Sequence, residues 1–398
     1  MFQKYIIPLL HFTLYLCVGA GLLASWQVFF TGIGVTNLNN QYVFGLWIIF
    51  DLTLIALASG AMCTAFLYYI LKRKTLRGLM PLAFSLGLLC YLAAGFILLL
   101  EIGQPLRAWF PFWHPNFISM LTEITFCLTF YLVVLLLEFL LACRHRLFKD
   151  IHAHDPVNWL RARLRLFLPT LVLLGAILSM LHQGSLGGVY GVLEARPFAW
   201  RPGLFIWPWT FILFVTSALS AGPLFTLLVA SAVEKCSGHS LIPEAARALI
   251  ARLAVLFLAL NFILRLADLA LWKYWLLPQT GYAYSQMFHG LAFGQWLLGL
   301  ELAAGNLLPL LLLLNKKIAS RPALFNVAAF LACCGLLLNR YIVNLQTLAV
   351  PTLPFDSWAS YWPNWQEIAP CLLALSFIAL GLRLLYRHGL LLANANTS

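Results

Sequence analysis

Apolar residues along this chain gather in runs of about twenty or more, the length that crosses a hydrocarbon layer about 30 Å thick. Ten such runs are present, at Tyr5–Phe30, Tyr42–Leu71, Leu79–Leu100, Phe117–Leu141, Phe167–Tyr190, Gly203–Ala230, Ala248–Leu276, Tyr284–Leu314, Pro322–Asn344 and Ile368–Tyr386. Inside lipid every backbone N–H and C=O must be satisfied within the protein, and helices do this one segment at a time. The pattern therefore predicts an all-α integral membrane protein with ten transmembrane helices. The polar gaps between runs are short, so residues 1–398 are read as one membrane domain with no soluble domain attached.

The polar residues then orient the helices. Basic residues follow the even-numbered runs: Lys72, Arg73, Lys74 and Arg77, then Arg144 to Arg165, Lys235 to Arg252, Lys316 to Arg321, and Arg383 with Arg387. Lys4, before the first run, falls on the same side, and of 25 Lys and Arg only six (Arg107, Arg196, Arg201, Arg265, Lys273 and Arg340) fall elsewhere. Short cytoplasmic loops carry such an excess, so both termini are expected in the cytoplasm (N-in/C-in). The first run shows no small-residue cleavage pattern and is read as a retained anchor. The opposite loops are rich in Trp, Pro, Phe and Asn, which suits interface anchoring or the docking of a peripheral protein.

Composition agrees, with 62% hydrophobic residues, a mean hydropathy of +0.89 and only 10% charged residues. The formal charge of +12 follows from the basic bias and anionic lipid headgroups, so no nucleic-acid partner is expected. Nine cysteines are present, none paired at the two-residue spacing of an iron–sulfur or metal motif. No cluster and no bound metal are expected in this chain.

Against that background Asp51, Glu123, Glu138, Asp268 and Glu301 fall within the apolar runs. An ionisable group at membrane depth costs at least a few kcal/mol unless paired, hydrated or protonated, and marks a proton, ion or substrate site by default. At 1.5 Å per residue Asp51 lies roughly 13 Å below the outer boundary, and Glu123 and His182 roughly 9 Å. Tyr91 and Glu101 share the third helix, and Gln104 and Arg107 follow at its outer end. An acid, an imidazole and a phenol around an apolar slot suit a quinone, whose carbonyls take hydrogen bonds and whose reduction takes two protons. The plainer reading makes His182 a packing residue and Asp51 a helix-to-helix hydrogen-bonding residue; three ionisable groups at similar depth favour the pocket.

Glu138 lies fifteen residues beyond Glu123, within roughly 60° of the same helix face. That spacing suits a water-linked proton route inward, although Glu138 also suits snorkelling toward Arg144 and Arg146. Arg265 and Asp268, three apart, are expected to pair. Glu301 has no local partner and is a candidate for a second proton path. A haem between His182 and His289 has no second pair at inner depth to carry electrons across, so no haem is expected.

Six segments, Gly45–Gly60 (GLWIIFDLTLIALASG), Glu101–Trp109 (EIGQPLRAW), Met120–Glu138 (MLTEITFCLTFYLVVLLLE), Leu181–Gly187 (LHQGSLG), Leu338–Tyr341 (LNRY) and Tyr361–Ile368 (YWPNWQEI), carry a resemblance. In that order and at helix ends they resemble the NrfD/PsrC-like family of membrane subunits of polysulfide reductase, nitrite reductase and related respiratory complexes. The likeness is to its ten-helix branch, typified by HybB-type hydrogenase, DsrP and quinone-reductase-complex subunits. The resemblance implies two four-helix bundles, residues 42–190 and 203–346, with peripheral helices at 5–30 and 367–388. It implies a subunit without a redox centre of its own, in the bacterial inner membrane, that binds quinone (menaquinone ahead of ubiquinone) near the periplasmic face. Its electrons would be exchanged with a periplasmic four-cluster ferredoxin-like iron–sulfur subunit, with catalytic or multihaem cytochrome subunits beyond.

On that basis Asp51, Glu123 and His182 are the candidate catalytic residues. Tyr91, Glu101, Arg107 and Gln183 complete the quinone site with them, and Glu123, Glu138 and Glu301 form the proton path. Two departures from the family pattern are Thr122, where Trp is common, and Glu101, where Asp is common. The alternative from another class is a secondary transporter with buried carboxylates at a repeat interface. Prolines clustered near span ends, such as Pro202, Pro208, Pro322 and Pro363, weigh against it. A purely structural anchor would leave the buried acids without a purpose. Orientation is tested by fusing reporters after Ser398: a fluorescent cytoplasmic reporter and an inactive alkaline phosphatase are expected, and active phosphatase would place that terminus outside.

Overall fold

Ten helices in the computed structural model are long and apolar enough to cross a membrane. The structure describes residues 2–147, 156–189, 203–204, 207–208, 210–288, 291, 293–349 and 360–391. The helices are α1 (Phe2–Thr31), α2 (Leu46–Tyr69), α3 (Met80–Glu101), α4 (Met120–Leu147) and α5 (Pro156–Val189). They continue with α6 (Thr210–Ser237), α7 (Glu244–Leu271), α8 (Trp296–Leu314), α9 (Pro322–Leu348) and α10 (Trp365–Arg387). Apart from these helices and short helical turns, a two-residue antiparallel ribbon pairs Gly203 with Pro208 and Leu204 with Trp207.

Several boundaries differ from the hydropathy reading. The second run opens as irregular chain, because Tyr42 lies before the Gly45 cap and α2 starts at Leu46. Asp51 is thus about 7 Å along its helix rather than 13 Å. The sixth run likewise begins helical structure at Thr210, past the ribbon. The eighth is broken: Tyr284–Phe288 is a short 3₁₀ turn, and Phe293 and Gly294 take left-handed backbone at φ 61° and 55° before α8 begins. Within α8, Glu301–Leu307 widens into a π-helix, and α7 runs on through a second π-helical turn at Trp272–Leu276. Prolines are less confined to span ends than expected, with Pro169 inside α5 and Pro223 inside α6.

Packing centres on α2. It touches α3, α5, α6, α9 and α10, and its apolar window is 83% buried, against 17% for α1. Its neighbours close a first group, with α3 on α4 and α4 on α5. On the other side α6 packs on α7 and α9, and α8 lies against α7 and α9. α1 rests on α10, which rests in turn on α3. Small residues allow the closest crossings. A Cβ on Gly60 of α2 would lie 2.1 Å from the Gly222 carbonyl oxygen of α6, and one on Gly305 of α8 2.3 Å from the Gly335 Cα of α9. Within lipid such close van der Waals packing, rather than hydrophobic burial, holds helices together.

One end of the structure is stapled by polar groups. The α10 start is a capping box, Asn364 and Glu367 bonding each other's backbone N–H. The same Glu367 carboxylate accepts from the Tyr361 hydroxyl at 2.5 Å and from the Asn37 N–H at 3.2 Å. Tyr361 also accepts the Leu46 N–H at 2.7 Å, and Trp47 Nε1 donates to the Glu367 carbonyl at 3.0 Å. The first turn of α2 is thereby fixed by residues more than 300 positions away. Burial, reinforced by the carboxylate, pushes the Tyr361 phenol well above the ordinary tyrosine range, so it remains an O–H donor. At the other end Lys72–Lys74 of the α2–α3 turn, Arg247 and Arg252 of α7 and Lys316 after α8 come together.

Gly60→Val is expected to lower the unfolding temperature of the detergent-solubilised protein by several degrees, an overpacking cost of about 1 to 3 kcal/mol. Gly19→Val, where a Cβ meets nothing within 4 Å, is expected to leave it unchanged.

Candidate functional site

Four helices of the first group carry polar side chains to one buried region. α2 brings Asp51, α3 brings Tyr91 and, at its C-terminal end, Glu101; α4 brings Tyr131, and α5 brings Ser179 and His182, with Gln183 next to His182 in the chain. Asp51, Tyr91, Tyr131, Ser179, His182 and Gln183 are fully buried. Glu101 has a partly exposed stem but buried carboxylate oxygens. None of these side chains has a hydrogen bond of good geometry among the described residues; the Glu101 carboxyl lies close to the Ile48 N–H in the first turn of α2 without meeting it squarely. Each buried polar group left unsatisfied costs about 1 to 3 kcal/mol, and native interiors hold very few. So dense a set marks a place where water or a polar ligand is meant to meet the protein.

The groups are near neighbours. The Tyr91 ring meets Tyr131 edge-on, with centroids 4.7 Å apart, and lies 5.7 Å from the His182 imidazole. Ser179 lies close to both phenols without hydrogen-bond geometry to either. Asp51 is within electrostatic reach of Tyr91 on one side and Glu101 on the other. Glu101 in turn feels Glu367 in the polar staple. Toward the basic end Tyr131 feels Glu138, which is 2% exposed. Gly175 of α5 leaves room between them: a Cβ there would sit 3.2 Å from the Tyr131 ring and 3.5 Å from Glu138 Oε1. A file of acid and hydroxyl groups therefore runs from Glu367 through Glu101, Asp51, Tyr91 and Tyr131 to Glu138.

The second group of helices treats its buried charge differently. Arg265 Nη1 donates to Asp268 at 3.0 Å, the pairing read from their spacing. The same guanidinium crosses to α8, Nε to Glu301 Oε1 at 3.2 Å and Nη2 to Oε2 at 3.3 Å. Asn339 of α9 adds a bond to Glu301 at 2.8 Å. Glu301 has no local partner, as read from the sequence; its partners come from other helices, beyond the reach of local spacing. Asn261, Asn306 and Asn339 border a small internal space with Ser217 and Ser220, and Asn261 bonds Asn306 at 3.0 Å.

Among the sequence-derived residues, Asp51, Tyr91 and His182 are brought together, with Glu101 beside Asp51; Gln183, which follows His182 on α5, is buried and unsatisfied as well. Glu123 stands at the rim. It is half-buried in the first turn of α4, one turn before Cys127, whose thiol lies within electrostatic reach of both Glu123 and Tyr91. Arg107 is exposed beyond the end of α3 and is not brought into the cluster. His289 lies outside the described residues. Two members were missed, Tyr131 and Ser179, although Tyr131 is seven residues before Glu138 on one helix face and Ser179 one turn before His182.

The fold and site define a polytopic helical membrane protein with an open polar cluster in one helix group and a closed ion-pair network in the other. Residues 34–351 match the family model described as polysulphide reductase, NrfD, and the chain belongs to that family. It is 43% identical over 372 residues to the menaquinone reductase, integral membrane subunit, of Nitratidesulfovibrio vulgaris, covering 93% of this chain and 88% of that protein. It is 26% identical to the probable Ni/Fe-hydrogenase 2 b-type cytochrome subunit of Escherichia coli, over 88% of this chain and 83% of that one. A selenate reductase subunit of Mesobacillus selenatarsenatis is 22% identical, over 80% of this chain and 77% of that one.

Removing Arg265 takes away the cation that two buried carboxylates share, so Arg265→Gln is expected to destabilise by about 3 to 5 kcal/mol, with partial recovery in Arg265→Gln/Glu301→Gln. Asp51→Asn removes a buried carboxyl group that no described side chain satisfies and is expected to leave stability equal or higher; unfolding in detergent distinguishes the two.

Proposed function

We propose that this chain is the quinone-reacting membrane subunit of a respiratory oxidoreductase complex in a bacterial inner membrane, with both termini in the cytoplasm. The observation that carries this reading is the unsatisfied cluster of Asp51, Tyr91, Ser179, His182 and Gln183. A quinone headgroup presents two carbonyl acceptors and, when reduced, two hydroxyl donors. Tyr91, His182 and Gln183 supply donors and acceptors for those oxygens, and Asp51, with Glu101 and Glu123 outward of it, takes up or gives the accompanying protons. The 43% identity to a protein named as a menaquinone reductase subunit favours menaquinone as the substrate.

Electrons pass between the quinone and a periplasmic four-cluster iron–sulfur subunit, with catalytic or multihaem cytochrome subunits beyond it. The end of the chain that carries Glu101 offers a seat for such a partner. Trp109 and Trp113 are 52% and 73% exposed, and Phe117 and Trp296 are more exposed still. Arg107, exposed beside this shelf, belongs to the mouth of the site rather than its floor. The two helix groups are a working bundle at 42–190 and a second at 203–346, with α1 and α10 peripheral.

A quinone that takes electrons and protons from the same side transfers no net charge. Charge separation requires protons to cross, and the Asp51–Tyr91–Tyr131–Glu138 file offers that route, with Glu123 feeding it from the rim. Glu301, held by Arg265, belongs to a second path that opens only if that ion pair is exchanged.

In proteoliposomes of the whole complex, Asp51→Asn and His182→Ala are each expected to lower quinone turnover at least about a hundredfold, in the range of general acid–base loss. Glu138→Gln is expected to retain turnover and lose the membrane potential it generates. Unchanged turnover in both cluster variants would remove the cluster from the chemistry, and an unchanged potential would remove Glu138 from the route.

A further inference from the structure

Two cavities open side by side at the basic end of the helices. One, about 400 Å³, is lined by Arg247 and Arg252 of α7, Lys316 after α8, and an apolar floor that includes Ala251, Val255 and Leu313. The other, about 490 Å³, is lined by Lys72, Arg73 and Lys74 of the α2–α3 turn and again by Arg252. Ala248 and Arg252 belong to both, so the cavities meet at Arg252. Glu244 alone is acidic among the lining residues. Among the described residues none of these six cations pairs with a carboxylate.

The backbone adds an independent sign. α2 ends in a wide turn, Leu71 N–H to Phe66 O at 3.1 Å and Arg73 N–H to Leu67 O at 2.9 Å, which drives Lys72 into left-handed backbone at φ 56°. Helix ends of this kind normally carry glycine, and a side chain there is strained by about 1 kcal/mol. A lysine is kept where the backbone favours no side chain, and it lines the second cavity.

We infer that this double cavity binds one anionic phospholipid bearing two phosphates, the diphosphatidylglycerol class. One phosphate lies among Arg247, Arg252 and Lys316, and the other among Lys72, Arg73, Lys74 and Arg252. The acyl chains descend over Ala251, Val255 and Leu313 beside the exposed Leu314 and Leu311. The charge suits phosphate, the floor suits hydrocarbon, and the site stands at the end of four membrane helices where a headgroup resides. The shared arginine favours two linked phosphates over two separate lipids.

The test uses the full chain in nanodiscs of phosphatidylethanolamine doped with diphosphatidylglycerol or with phosphatidylglycerol at equal phosphate content, with the retained lipid counted by native mass spectrometry after mild extraction. One diphosphatidylglycerol per chain is expected, held at least about five-fold more tightly than phosphatidylglycerol and undisplaced by inorganic phosphate. Arg252→Gln and Lys72→Gly are each expected to weaken it about five-fold, since each removes one charge near the surface. Lys72→Gly relieves the backbone, so its unfolding temperature is expected to hold or rise while retention falls, which separates a lost contact from a lost fold. Lys317→Gln, outside both cavities, is expected to change nothing. Equal retention of the two lipids, displacement by free phosphate, undiminished retention in Lys72→Gly, or a loss in Lys317→Gln matching Arg252→Gln would overturn the proposal.

Discussion

A carboxylate inside a helical membrane protein must be paired, hydrated or neutral, and the two helix groups of this protein answer that constraint in opposite ways. Around α7, α8 and α9 the answer is pairing: one guanidinium spans Asp268 and Glu301, and asparagines fill the remaining positions. Around α2, α3, α4 and α5 the answer is left open, with acids, phenols and an imidazole gathered and unsatisfied among the described residues. A closed network gives rigidity, because each bond would have to break in hydrocarbon. An open one gives chemistry, because its groups are free to meet a substrate or water.

The architecture follows from the need to hold that open cluster without collapse. α2 carries Asp51 into the centre and is clamped at both levels. Gly60 against Gly222 sets how closely it approaches α6, while Tyr361, Glu367 and Trp47 fix its first turn. The staple also places Glu367 within electrostatic reach of Glu101, so the element that positions α2 forms one end of the polar file. The closed network then serves as a stiff wall on the far side of α6, where Arg340 of α9 reaches the Ser217 hydroxyl at 2.8 Å.

Much of this was legible in the sequence. Ten spans follow from apolar run length alone, because the bilayer imposes a single length scale. Asp51 and Glu123 stand out against an apolar background, and the Arg265–Asp268 pair follows from a spacing of three. What was not legible depends on contacts between helices. Glu301 finds Arg265 across 36 positions, and Tyr361 holds α2 across 315. Tyr131 and Ser179 carry no charge, so nothing in an apolar run sets them apart until α4 and α5 are packed. The break before α8 rests on left-handed backbone at Phe293, which hydropathy does not register.

The central claim is that quinone reacts in the open cluster and not in the closed network. Photo-crosslinking with an azido-menaquinone analogue, followed by mapping of the labelled peptides, tests it most directly. Label is expected on α3 and α5 near Tyr91 and His182, competed away by unlabelled menaquinone. Competed label confined to α7 and α8 near Arg265 and Glu301 would contradict the account.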